Sequence, residues 1–223
     1  MYLDDSDFIA RSERYLHSSP NRLAEKGDLV LNPEVREIFP SFREAAILFS
    51  IIERPEGLTT LLNMRPKHLK NHGGQIGFPG GKVEDQDTGP LSTALREAHE
   101  EVGLPSDHIN PIGFLDAYIT GSGFRVVPVI ARVRVDRDLM LDPNEVEAAF
   151  EVPFHFLMNP RNHGHGFIRW REKDRFYYEM PYSDGDTTWR IWGVTAGIIR
   201  LLYETIYPEF PDAQSFDALR VEA

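Results

Sequence analysis

Cysteine is absent from the 223 residues. Disulfide bonds, thiolate nucleophiles and cysteine-ligated zinc are thereby excluded. Positive charge is scarce as well. Lys and Arg number 24 against 35 Asp and Glu, a formal charge of −11. A surface of that sign repels a phosphate backbone, so no nucleic-acid partner is expected. Long apolar runs are missing. The longest, residues 45–52, falls far short of the roughly 20 residues that span a bilayer, so no membrane partner is expected either. Residues 1–7 are acidic, where a secretory or transit peptide would be basic, and a cytoplasmic location follows as the expectation. No internal repeat and no low-complexity segment occurs.

What remains suffices for a core. Hydrophobic residues make up 41% of the chain, and a chain of this size buries roughly 70% of its unfolded surface. The texture divides it into an arm with short helices (1–41), a main domain (42–207) and a tail (208–223). In the arm, Ser6 is positioned to cap a helix reaching His17, and Asn32 and Pro33 to open another ending near Phe39. Residues 45–53 and 59–64 read as strands around the turn residues 54–57. A short strand is expected at 75–78, then strands at about 112–119 and 124–135. Residues 144–149 and 154–158 read as short helices. A hairpin of 166–171 and 175–180 turns at 172–174, and a last helix spans about 188–207. Strands mixed with several helices make an α/β protein.

The most regular helix is residues 91–102, stopped by Gly103 and Pro105. Leu91, Ala94, Leu95, Ala98 and Val102 share one arc of about 100°. Glu97, Glu100 and Glu101 gather on another side at spacings of three and four, where side chains are neighbours. Their charges repel, and two stand in the last turn, where the helix dipole disfavours anions. Arg96 is the helix's one cation. A solvated acidic face is the ordinary meaning of such a cluster. The other is a site for a hard divalent cation, which turns repulsion into attraction. The upstream Phe78-Pro79-Gly80-Gly81-Lys82 favours the second, because paired glycines let backbone approach a ligand closely.

Gly81 to Leu104, ending in Arg96-Glu97-Ala98-His99-Glu100-Glu101-Val102-Gly103-Leu104, resembles the Nudix box, G-x5-E-x7-R-E-U-x-E-E-x-G-U with U apolar. The second half matches fully. In the first half Asp87 stands in place of Glu, and eight residues rather than seven separate it from Arg96. The flank, Leu61-Leu62-Asn63-Met64-Arg65 followed by His72-Gly73-Gly74-Gln75-Ile76-Gly77-Phe78-Pro79-Gly80-Gly81, is similar to the coenzyme A pyrophosphatase branch. Asn63 replaces its Thr, Pro66 its Ser, and Lys70 stands where Arg is expected. The later Ile191-Trp192-Gly193-Val194-Thr195-Ala196 also resembles this branch.

The resemblance implies an α/β/α sandwich around a mixed sheet. It implies a Mg²⁺- or Mn²⁺-dependent hydrolase that splits the diphosphate of coenzyme A or its thioesters into 3′,5′-ADP and the phosphopantetheine part. Such a substrate is a small nucleotide. It further implies that Glu97, Glu100 and Glu101 hold metal, with the Gly81 carbonyl completing the shell. Glu100 is the preferred base, and Arg96 orients carboxylates. A further acid from outside the box is expected among Glu145, Glu147 and Glu151. Arg65 and Lys70 are the first choices to meet phosphate, with Lys82, Gly80 and Gly81 also at the substrate. Other readings are hydrolysis of ADP-ribose or a dinucleotide, or a non-catalytic Nudix-fold binding module, which intact box acids disfavour. For self-association a two-fold homodimer is the prior expectation.

Overall fold

The computed structural model describes residues 4–21, 25–69, 72–170 and 172–210. Its centre is the strand expected at 45–53. Ala46, Leu48 and Ile52 point to one apolar cluster, and Ala45, Phe49 and Ile51 to the other. Period-two alternation with both faces buried is what a central strand requires. This strand, Arg43–Arg54, is β2.

In chain order the elements are α1 (Asp5–Tyr15), β1 (Glu25–Gly27), α2 (Asp28–Leu31), α3 (Val35–Ile38), β2, β3 (Gly57–Met64), β4 (Ile76–Gly77), β5 (Gly80–Lys82) and α4 (Pro90–Val102). There follow β6 (Ile109–Phe114), β7 (Ala117–Ile119), β8 (Phe124–Val133), β9 (Ala148–Pro153) and α5 (Phe154–Leu157). The remainder is β10 (Gly164–Trp170), β11 (Lys173–Asp184), β12 (Thr187–Trp192) and α6 (Val194–Ile206). The main sheet runs β1-β7-β8-β2-β3-β4, with β5 on β2, β6 on β8 and β9 on β3. It is mixed: β2 is parallel to β8 and antiparallel to β3 and β5. A second, antiparallel sheet has the order β10-β11-β12.

The two long helices of the main domain cover opposite faces. Ala94, Ala98 and Val102 of α4 pack on Ala46, Leu48, Val127 and Val129. Ala196, Ile199 and Leu202 of α6 join Phe49, Ile51 and Leu62. Full burial of Val102 alone stabilises by roughly 2 kcal/mol. Gly103 ends α4 at φ 71°, a left-handed conformation that glycine enters without steric cost.

Several expectations are corrected. The cap of α1 is Asp4, whose carboxylate accepts from the Asp7 N–H, while Ser6 donates to Asp4; the helix ends at Tyr15. Residues 144–149 are no helix but a turn leading into β9, since pairing with β3 outweighs their helix preference. Residues 187–192 form β12 rather than the start of the last helix, and Gly193 at φ 63° separates the two. The run 112–119 is two strands, β6 and β7. The arm also adds a strand to the main sheet, β1 lying parallel to β7. Of the tail, residues 211–223 lie outside the described part.

Candidate metal centre

On β3, Leu61 points to the α4 cluster, so Asn63, two residues on, faces the same side. There its Nδ2 donates to Glu101 Oε2 over 2.8 Å. The Gly80 N–H donates to the same oxygen over 3.1 Å, and Arg65 Nη1 stands 3.7 Å from Oε1. Glu101 is thus fixed by three elements, β3, β5 and α4. It is only 2% exposed, and burial pushes its carboxyl up to about 7 despite the donors of Gly80 and Asn63. Burial raises Glu97 too, against the pull of Arg96.

The third acid comes from the chain after β8. The last carbonyls of α4 lack partners within the helix, and here they accept from a loop. Met140 N–H donates to Val102 and Asp142 N–H to Glu101. Glu145 N–H and Val146 N–H then both return to the Asp142 carbonyl. Loop and helix end are locked together, and Glu145 arrives beside the helix. One oxygen each of Glu97, Glu101 and Glu145 lies within 4.8 Å of the others.

Arg96 ties the approach to the helix. It donates to both oxygens of Asp87 at 3.2 and 3.0 Å, to Glu97 and Glu100 at 2.9 Å, and to the Lys82 carbonyl at 3.0 Å. Hydrogen bonding from Arg96 holds the Asp87 carboxyl down to about 2. Asp87 also accepts from Thr93 Oγ1 and the Glu84 N–H. The residue that departs from the box pattern is therefore the anchor of the arginine. Gly81 lies directly against the Glu97 carboxylate, which would have to move if a Cβ stood there.

The expected site residues separate into those brought together and those not. Glu97, Glu101, Gly80, Gly81, Arg96 and Arg65 converge. Glu100 does not join the trio; its side chain is 52% exposed and turned to Arg96. Lys82 is exposed and shares the site through its carbonyl. Of the three acids outside the box, Glu145 alone joins. Glu147 accepts from the Lys67 N–H. Glu151 is taken by Arg54 and Thr59, which outweigh burial and lower its carboxyl. Lys70 lies outside the described residues. Asn63 as a support for Glu101 is new, and its signal was a polar residue two positions after Leu61 on the strand face turned to α4.

A divalent ion suits this donor set. All donors are hard oxygens, held at one place with charges that repel until a cation arrives. On the other face of the sheet lies a cavity of about 360 Å³. Its wall includes His72, Gln75 and Ile76, which lead along the chain into Gly80 and Gly81.

Comparison with known proteins gives the family. Residues 41–171 match the family model described as NUDIX domain. The chain belongs to the Nudix family and is a Nudix hydrolase. It is 36% identical over 178 residues to the uncharacterized Nudix hydrolase NudL of Escherichia coli O7:K1, covering 78% of this chain and 88% of that protein. NudL of Escherichia fergusonii gives the same identity and coverage. Among solved structures, a MutT/nudix family protein from Enterococcus faecalis superposes with a TM-score of 0.46 at 14% identity, covering 82% of this chain and 68% of that one. Nudix hydrolases generally need divalent metal ions and act on small nucleotide-derived substrates. No helix among the described residues is long and apolar enough to cross a membrane.

Proposed function

We propose that this hydrolase cleaves the diphosphate bridge of coenzyme A or its thioesters, giving 3′,5′-ADP and (acyl) phosphopantetheine, with Mg²⁺ or Mn²⁺ as cofactor. The observation that supports it is the course of residues 72–81, the segment similar to the coenzyme A pyrophosphatase branch. It begins in the wall of the 360 Å³ cavity and ends at Gly80 and Gly81, against Glu101 and Glu97. A substrate with a long group on its diphosphate needs such a connection.

Glu97, Glu101 and Glu145 would hold the ion, with the Gly81 carbonyl beside them. A divalent ion bound there supplies charge neutralisation and Lewis acidity to a phosphoryl centre. The chain's own residues do the positioning on which phosphoryl transfer mainly relies. Arg96 fixes Glu97 and Glu100. Glu100, outside the trio and open to solvent, accepts the proton of the attacking water. Arg65, Lys82 and Lys70 meet the phosphates, offsetting part of the chain's negative charge. Gly80 and Gly81 leave the backbone bare where the bridge lies.

The test is product identification by mass spectrometry after incubation with coenzyme A and Mg²⁺. Formation of 3′,5′-ADP and phosphopantetheine is expected. Intact coenzyme A, with rapid hydrolysis of ADP-ribose or a dinucleotide, would overturn the assignment.

A further inference from the structure

The 360 Å³ cavity has a size typical of small-ligand sites. It lies where the arm, β8, the second sheet and the start of α6 meet. Several of its polar groups are already engaged. Asp28 accepts from Tyr118 Oη and the Gly121 N–H, both over 2.7 Å. Asn32 donates to the Phe176 carbonyl and accepts from the Phe176 N–H, over 3.0 and 2.9 Å. Thr120 Oγ1 accepts from the Phe124 N–H and pairs with Ser122. Among the described residues of its lining, the one arginine, Arg175, faces two carboxylates. Glu34 is 3.5 Å from its Nε, and Asp28 is its electrostatic partner. Among the described residues, these two acids already engage that guanidinium.

What the cavity offers instead is apolar contact, from the side chains of Val35, Phe124, Val126, Val194 and Ile168, with Phe176 contributing its backbone to the wall. Ile168 is 44% exposed. An apolar side chain at the lip of a cavity is stabilised when an apolar ligand covers it. The mouth is also preformed, because Asn32, only 4% exposed, grips the Phe176 backbone at both its polar groups. A fixed wall reduces the ordering cost of binding. The cavity is joined to the metal centre through one strand pair: on β4, Ile76 lines the cavity, and the register partner of Gly77 is Asn63, which holds Glu101.

We propose that this cavity binds an uncharged, apolar group carried by the diphosphate substrate away from the cleaved bridge, an acyl chain being the class it fits, and that the arm helps form this subsite through Asn32. This rests on the coenzyme A reading for the identity of the carrier, though not for the character of the cavity.

Two measurements separate the two ideas. In the first, kcat/KM is compared for coenzyme A, acetyl-coenzyme A and octanoyl-coenzyme A with Mg²⁺. Burying even two methylenes is worth about ten-fold, so octanoyl-coenzyme A is expected to exceed coenzyme A by about ten-fold or more. In Ile168→Asp, and independently in Val194→Asp, that ratio falls towards one. Equal kcat/KM for the two substrates, or a ratio unaltered in both variants, overturns the subsite. In the second, the uncharged fluorophore N-phenyl-1-naphthylamine is titrated into the wild type and both variants. Enhanced fluorescence in the wild type, lost in the variants, is expected. If no coenzyme A compound is hydrolysed but the fluorophore binds in this way, the substrate reading fails and the apolar cavity stands. If coenzyme A is hydrolysed without chain preference and the fluorophore does not bind, the cavity proposal fails alone.

Discussion

The helices α4 and α6 are equally long, 13 residues each, and pack on opposite faces of one sheet, yet they treat charge in opposite ways. In α6, Arg200 is completely buried. It donates to Glu204 over 2.7 Å, lies near His163 at 3.4 Å, and its guanidinium stands against the rings of Tyr178 and Tyr203. Among the described residues, this cation meets one carboxylate and a set of soft acceptors. In α4, Arg96 serves Asp87, Glu97 and Glu100 at once, and Glu101 is buried beyond its reach. One helix end is internally satisfied. The other is left short of positive charge, as expected where a site trades stability for ligand binding.

The sharpest way to break this contrast is Glu101→Gln. It keeps shape and removes one charge from the trio. A loss of several kcal/mol of transition-state stabilisation, about 10³-fold or more in kcat, is expected with saturating Mg²⁺. Glu100→Gln is expected to cost roughly 10²–10⁴-fold, as loss of a general base does. Unchanged kcat in both variants would remove the metal centre from the reaction. Arg200→Ala asks the converse question of α6. Breaking a buried pair typically costs about 3–5 kcal/mol, so the denaturation midpoint should fall steeply while kcat per folded molecule stays the same. A drop in kcat without a drop in stability would mean that α6 is part of the chemistry.

A smaller effect is expected at the arginine of α4. Arg96→Lys keeps the charge but loses the two-point grip on Asp87. Residues that orient metal ligands typically contribute 10–100-fold. A rise in the Mg²⁺ concentration needed for half-maximal rate, with the Tm little changed, is the expected pattern. A large fall in Tm with normal Mg²⁺ dependence would make Arg96 a structural anchor only.

The same contrast explains what could be read before the fold was known. The apolar arc of α4, Leu91 to Val102, follows the helical period, and its three glutamates stand out by spacing alone. The alternation of β2 was equally plain. Residues 144–149 misled because Glu145, Glu147 and the alanines favour helix locally, while β3 decides their state from far away. The partners of the metal centre share that difficulty. Asn63 and Glu101 are 38 positions apart, and Glu145 is placed by bonds from its loop to the end of α4. Asp87 looked like an imperfect match to a motif; only its bonds to Arg96 show what it holds.

The mildest test needs no mutation at first. Glu101 has an ordinary carboxyl value of 4.5 and is pushed up to about 7 by burial. A carboxyl raised by folding favours the protonated form in the folded state. Its contribution to stability is therefore fully present below pH 4.5 and is lost as pH rises through about 7. With EDTA present, the wild type should lose stability across this window by on the order of 1–2 kcal/mol relative to Glu101→Gln, which has no proton to release there. Saturating Mg²⁺ should reverse the loss above pH 7, because the ion binds the deprotonated trio and stabilises only the folded chain. Thermal melts of both proteins at pH 5 and pH 7.5, with and without Mg²⁺, measure the difference. Parallel curves in all four conditions would mean that the buried carboxylate is compensated without a cation, and α4 would then be no different in kind from α6.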